Sequence, residues 1–174
     1  MPSPRVHSHM TLDELEAYGM VRMTDEEIDG YLASQSVGVL GLPAERAPGL
    51  RPLSFGYDGD ALYFLYVLGG ESEKERLSRA AETARFLVYS AETPFNWRSV
   101  LLTGTLEALS EEGDEYEHAR SVMEQAWRPD VFARASATEA TAVYRFDVRE
   151  RVGLKHIGLP PEFDEPVGAE SRSE

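Results

Sequence analysis

The chain has 174 residues, 42% of them hydrophobic, which is enough for one domain with its own core. Its formal net charge is −14 and no basic patch stands out, so neither nucleic acid nor an anionic membrane is an expected partner. It has no cysteine, which excludes disulfides, thiolate metal sites and cysteine nucleophiles.

Residues 1–10 carry two prolines and no periodic pattern, and read as a tail. "TLDELEAYG" offers Thr11 as a helix N-cap, Glu14 as its capping-box partner and Gly19 as a stop. "TDEEIDGYLAS" repeats the device with Thr24 and Glu27, and Ile28, Tyr31 and Leu32 fall on one helical face. The period then changes. "SVGVLGL" (36–42) is short, β-branched and glycine-punctuated, as a strand would be. In "LRPLSFGYDGDALYFLYV", Leu53, Phe55 and Tyr57 alternate, Asp58-Gly59 is a tight-turn pair, and "ALYFLYV" follows, so a hairpin is expected. That second strand is apolar on both faces and must be covered on both, by a barrel interior and by a helix or a second subunit.

"SEKERLSRAAE" (72–82) reads as a helix and "ARFLVYS" (84–90) as a strand. After the loop "TPFNW", "RSVLLTGTLEAL" (98–109) reads as a long strand with Val100, Leu102, Gly104 and Leu106 on one face. Residues 110–127 read as a helix capped by Ser110, with Tyr116, Ala119, Met123 and Trp127 as its buried stripe. "TAVYRFDVRE" (141–150) alternates, with Ala142, Tyr144, Phe146 and Val148 inward. From Pro160 the composition turns polar, as in a loose tail. About six strands that do not alternate regularly with helices favour an antiparallel barrel with helices outside over a doubly wound sheet.

Low lysine with abundant Asp and Glu suits a protein adapted to high salt, where screening makes a self-repelling surface tolerable; an ordinary acidic cytosolic protein has the same composition. No apolar run approaches the length of a membrane span, and "MPSPRVHSHM" lacks a signal-peptide core, so a soluble cytoplasmic protein is expected. GxSxG, HExxH and P-loop motifs are absent. His7 and His9 have no third metal ligand nearby, His118 reads as part of a solvated face, and His156 could reach a pocket but reads rather as a surface residue. Asp25, Glu26 and Glu27, like Glu111 and Glu112, lie in first helical turns, where the helix dipole favours them.

Three stretches can carry binding. Lys74, one of only two lysines, falls in the first turn of a helix capped by Ser72, within "GGESEKERLSR" (69–79). A cation there opposes the helix dipole, which makes sense if an anion is held at the exposed N–H groups, with Arg76 and Arg79 able to join. Alternatively Lys74 pairs with Glu71 or Glu75 on a solvated face. "LRPLS" places Arg51 and Pro52 on an extended segment, and the proline implies an edge strand whose free backbone groups can bond a planar heterocycle. "TPFNWRSV" places Trp97 and Ser99 at a loop-to-strand junction, as core or as the wall of a pocket for an aromatic ligand.

The order of "RPLSFGYDGDALYFLY", "EKERLSRAAETARFLVYS" and "NWRSVLLTGTLEAL" resembles the pyridoxamine 5′-phosphate oxidase-like superfamily, in particular its small flavin-binding and nitroimidazole-resistance-type members. The resemblance covers about residues 23–157, leaving 1–22 as a tail with a short helix and 158–174 as a flexible tail. It implies a mainly β fold with α (α+β), an antiparallel Greek-key split β-barrel with flanking helices. It implies FMN as cofactor, in a groove at the interface of a homodimer, which would account for the two-sided apolar strand 61–67. By the same resemblance Arg51, Pro52, Leu53 and Ser54 line the isoalloxazine, and Tyr66 and Val67 stand near the ring and ribityl chain. Lys74 binds the phosphate, and Trp97, Ser99 and Val100 close the far side. The histidine that nitroimidazole-resistance-type members often carry near the end of the third strand is replaced here by Leu65-Tyr66, and vitamin B6 chemistry is not expected.

The implied function is an FMN-dependent oxidoreductase acting on a small molecule, with NAD(P)H as donor and no assigned catalytic residue. The rival readings are a flavin-binding storage or sensing module without turnover, and the same barrel holding a deazaflavin or haem.

Overall fold

The computed structural model describes residue 16 and residues 18–67, 72–126 and 141–158. The expected N-terminal tail, the Thr11–Glu14 capping box, Glu71, Trp127 and all but the first residue of the C-terminal tail lie outside the described residues. The described strands are β1 (Met20–Arg22), β2 (Val37–Leu42), β3 (Gly49–Ser54), β4 (Gly56–Tyr57), β5 (Ala61–Val67), β6 (Ala84–Thr93), β7 (Asn96–Ala108) and β8 (Thr141–Ile157). The helices are α1 (Asp25–Ser34), α2 (Glu73–Ala80) and α3 (Asp114–Ala126).

All pairings are antiparallel and run β3-β2-β6-β7-β8-β5-β4, with β1 added to the far end of β8. The two edge strands, β3 and β4, are neighbours in sequence but do not pair, so the sheet curls without closing. The result is the expected mainly β split barrel with flanking helices. β5 and β6, consecutive in the chain, are separated by β7 and β8 in the sheet, and α2 spans that jump.

The barrel interior is filled by Leu40, Leu42, Leu62, Phe64, Tyr66, Phe86, Val88, Val100, Leu102, Tyr144 and Phe146, against which α1 packs Ile28, Tyr31 and Leu32. α1 starts as its sequence predicts: the Thr24 hydroxyl accepts from the Glu27 N–H, and the Glu27 carboxylate accepts from the Thr24 N–H. A second, smaller core lies on the other face of β5, where Ala61 and Tyr63 meet Ala119 and Met123 of α3. The two-sided apolar strand is therefore covered by a helix of its own chain, and needs no second subunit to explain it.

The structure departs from the expected elements in four places. The hairpin splits at Phe55: β3 pairs with β2, and only Gly56 and Tyr57 pair with β5. Phe55 is buried against Phe86 and its N–H donates to the Ser36 carbonyl, which turns the chain from one sheet edge to the other. α3 begins at Asp114, not at Ser110, because the Gly113 carbonyl accepts the Glu117 N–H and so takes the capping position. β8 continues to Ile157 through a bulge: Thr103 pairs with Glu150 but Gly104 pairs with Val148, leaving Arg149 over. Only glycine fits at 104, since a Cβ there would run into the Asp147 carbonyl oxygen. β1 was not expected at all.

The Asp58-Gly59 turn is held by more than its backbone. Asp58 Oδ1 accepts the N–H groups of Asp60 and Ala61, and Oδ2 accepts from the Tyr63 hydroxyl and faces His118 Nε2 at 2.9 Å. His118 thus ties α3 to the turn, rather than standing on a merely solvated face. Burial by itself would raise the Asp58 carboxyl, but the Ala61 N–H, His118, the Asp60 N–H and Tyr63 outweigh it and hold it at about 2. A depressed folded-state value stabilises the fold above the unfolded carboxyl's range and loses that stabilisation as pH falls through it. Asp58→Asn is expected to cost about 2 kcal/mol at neutral pH and to flatten the loss of stability between about pH 4 and pH 2. Urea unfolding at pH 7, 4 and 2.5 checks this; parallel pH profiles for the two proteins would contradict it.

Candidate functional site

The sequence-predicted residues fall into two groups. The first gathers where α2 begins. Ser72 caps α2, its hydroxyl accepting the Glu75 N–H, which puts Lys74 in the first turn. Arg51 lies at the sheet edge, as its neighbouring proline implied, and its guanidinium donates to Glu73 at 2.7 Å. Glu75 accepts from Arg79 Nε at 3.0 Å and Nη2 at 2.6 Å. The described carboxylates beside Lys74 are therefore engaged with arginines, and among the described residues no carboxylate pairs with Lys74. Its ammonium sits instead 4.1 Å from the centre of the Tyr66 ring, a cation–π contact. Burial lowers the Lys74 pKa, and the charge of nearby Arg51 lowers it further.

Tyr66 lies beneath, fully buried, stacked on Tyr144 at 4.4 Å and hydrogen-bonded to the buried Ser78 hydroxyl at 2.9 Å. Burial pushes the Tyr66 hydroxyl up to about 12, against the lowering effect of Ser78. It is a neutral platform for the ammonium, not a titrating group. Val67 is exposed at the end of β5. Tyr144, which the sequence marks only as an inward strand residue, and Ser78, which it marks only as part of a helix, shape this platform.

The second group lies across the sheet. Register puts Ser54 opposite Val37 and Pro52 opposite Val39, with β6 and then β7 beyond. Three strand spacings, about 14 Å, separate β3 from β7. Trp97 and Ser99 share the outer face of β7 with Leu101, whereas Val100 points into the core, as Leu53 does on β3. Among the described residues Trp97 and Ser99 make no hydrogen bond, ion pair or ring contact with Lys74 or Arg51; the ring beside Trp97 is His156. This outer face is apolar: Leu50, Val37 and Tyr89 are 60%, 53% and 60% exposed, and a cleft of about 590 Å³ runs along it, lined by Val39, Leu42, Pro48, Leu50, Leu87 and Leu101.

His156 is a correction. It is buried, not a surface residue: Nδ1 lies 2.9 Å from the Phe95 carbonyl, and the ring lies beside Phe95 and Trp97. Since a carbonyl only accepts, Nδ1 carries the proton. Gly19, at φ 78, closes over the ring, and a Cβ there would come within 3.2 Å of it.

The family model described as pyridoxamine 5′-phosphate oxidase matches residues 24–155. The chain belongs to this family. The match takes in both groups of candidate residues and stops one residue short of His156. Among solved structures, the chain is similar to a FAD-binding protein from Mesorhizobium loti, with 21% identity over 80% of this chain and 98% of that one and a TM-score of 0.64. It is similar to a FAD and heme binding protein from Mycobacterium smegmatis, with 20% identity over 82% of this chain and 75% of that one and a TM-score of 0.62. It is also similar to a Bacteroides thetaiotaomicron protein assigned to 5-nitroimidazole antibiotic resistance, with 16% identity over 78% and 87% and a TM-score of 0.59. These likenesses are likenesses of fold. No curated protein matches the chain. Among the described residues no helix is long and apolar enough to cross a membrane.

His156→Phe keeps the ring but leaves the Phe95 carbonyl without its donor. It is expected to cost roughly 1–3 kcal/mol in urea unfolding; an unchanged midpoint would reduce His156 to a space-filler.

Proposed function

We propose that this chain binds a flavin by its phosphate at the start of α2 and works as an FMN-dependent oxidoreductase on a small molecule, with NAD(P)H as donor. The observation that carries the reading is Lys74: half-buried, raised over Tyr66, close to Arg51, and without a carboxylate partner among the described residues of a chain of net charge −14. Such a group fits a phosphate, because it sits at a helix start whose N–H groups also face an anion. Family membership and the FAD named for two of the structural neighbours support a flavin. FMN is favoured over FAD because one lysine and one already paired arginine match a single phosphate.

A bound flavin supplies the electron transfer at its ring. The chain's own residues bind and orient. Lys74 anchors the phosphate, with Arg51 adding charge once it leaves Glu73. Tyr66 holds the Lys74 ammonium in place, and its ring is kept fixed by Tyr144 and Ser78. Trp97 and Ser99 lie on β7, three strands across the sheet from Arg51 on β3. A homodimer packed through the outer faces of β3, β2, β6 and β7 would cover the exposed Leu50, Val37 and Tyr89 and bring the second group to the partner's first.

Two measurements test this. Lys74→Ala should weaken FMN binding by about 1.5–3 kcal/mol, the worth of a charge-assisted bond. FMN and FAD titrated in parallel decide between the two flavins, and no saturable binding of either removes the reading. Tyr89→Asp should convert a dimer to a folded monomer in sedimentation velocity, since Tyr89 is 60% exposed and takes no part in the core; an unchanged sedimentation coefficient would remove this face as the interface.

A further inference from the structure

β7 and β8 set Arg98 and Lys155 directly opposite one another in register. Like charges facing across an antiparallel pair destabilise a sheet. Lys155, the second of the chain's two lysines, is relieved in part by an ion pair with Glu27 of α1. That carboxylate is shared, because its other oxygen accepts the Thr24 N–H that caps the helix. Arg98 makes no ion pair of its own among the described residues; the Glu27 carboxyl, held down mainly by its hydrogen bond from Lys155, feels the Arg98 charge as well. An ammonium offers three N–H donors and a guanidinium five, so most of this donor capacity is unspent.

The two cations and Glu27 border a pocket of about 330 Å³ between α1 and the sheet, with Met23 and Ile157 as apolar lining and Ser34 as a further polar group. Lys155 is well enclosed there, its side chain 17% exposed. Two cations against one committed carboxylate, in a concave site, reverse the sign of a chain whose net charge is −14. Local rules of sheet pairing are broken most often where a site requires it. We propose that this pocket binds a small oxyanion, a carboxylate or a phosphate, between the Arg98 guanidinium and the Lys155 ammonium. The anion relieves the cross-strand repulsion, and the pocket has ample room for a small carboxylate or phosphate. The site shares no lining residue with the one at Lys74, whose neighbours are Tyr66 and Arg51. It stands whether or not the chain binds a flavin.

The test uses the full chain at low ionic strength, titrated calorimetrically with inorganic phosphate and, separately, with acetate; the stronger binder identifies the class. Arg98→Gln, at an exposed position, should weaken binding roughly tenfold or more, as loss of one charged donor implies. Without anion it should be no less stable than the native chain, since a repulsion has been removed. Lys155→Arg keeps the charge and should keep binding, which guards against loss of the Glu27 contact. Lys74→Ala should leave this binding within about twofold. Saturable binding that Arg98→Gln does not weaken, binding lost in Lys74→Ala, or no binding of either anion would each overturn the proposal.

Discussion

The architecture depends on the burial of Phe55. Its ring is wedged edge-on against Phe86 and its N–H is taken by Ser36, so the chain cannot continue straight from β3 into β4. β3 must lie along β2 at one edge of the sheet, and β4 along β5 at the other. The edges stay adjacent but unpaired, and that is what splits the barrel. Gly56 completes the corner: a Cβ there would come within 3.0 Å of Val122 and 3.1 Å of Met123, so α3 can press directly on the backbone. The open side and the second core are consequences of one buried ring.

The same split determines where α2 goes. Because β5 and β6 are separated by β7 and β8, the chain must cross between them, and α2 crosses beside the free edge of β3. Leu77 packs near Gly49 of that strand, and Arg51 reaches Glu73. A helix start, an edge strand and the end of β5 are thereby brought together. Lys74 lies at the junction, above a tyrosine pair that could not stack if β5 and β8 were out of register: Tyr66 pairs with Ala142 and Phe64 with Tyr144, which sets the two tyrosines diagonally on one face.

Much of this was legible in the sequence, where local chemistry decides alone. The Thr24–Glu27 capping box, the Ser72 cap and the inward alternation of 100, 102 and 104 needed no partner to be read. What failed was partner choice. Leu53, Phe55 and Tyr57 alternate identically whether the strand runs straight or changes edges at its middle. Arg149, as a bulge residue, and Gly153, packed under Ile28 and Met23, interrupt the pattern that would have carried β8 to Ile157. β1 is three residues long and owes its pairing to β8. His156 looked exposed because the segment that covers it, around Gly19, belongs to the other end of the chain.

The glutamates around Lys74 show how charge is distributed at such a site. In sequence, Glu73 and Glu75 look like neutralising neighbours of the lysine. In the fold, Glu73 turns to Arg51 and Glu75 to Arg79, each at hydrogen-bond distance. Guanidinium groups hold carboxylates in a forked geometry that an ammonium cannot match. Arginine thus removes these two carboxylates, and among the described residues the lysine is left as a compact charge without an ion pair. Lys155, with its carboxylate in part diverted to a helix cap, is in a related state. Among the described residues five arginines make ion pairs, whereas Lys74 makes none and Lys155 shares its carboxylate with a helix cap.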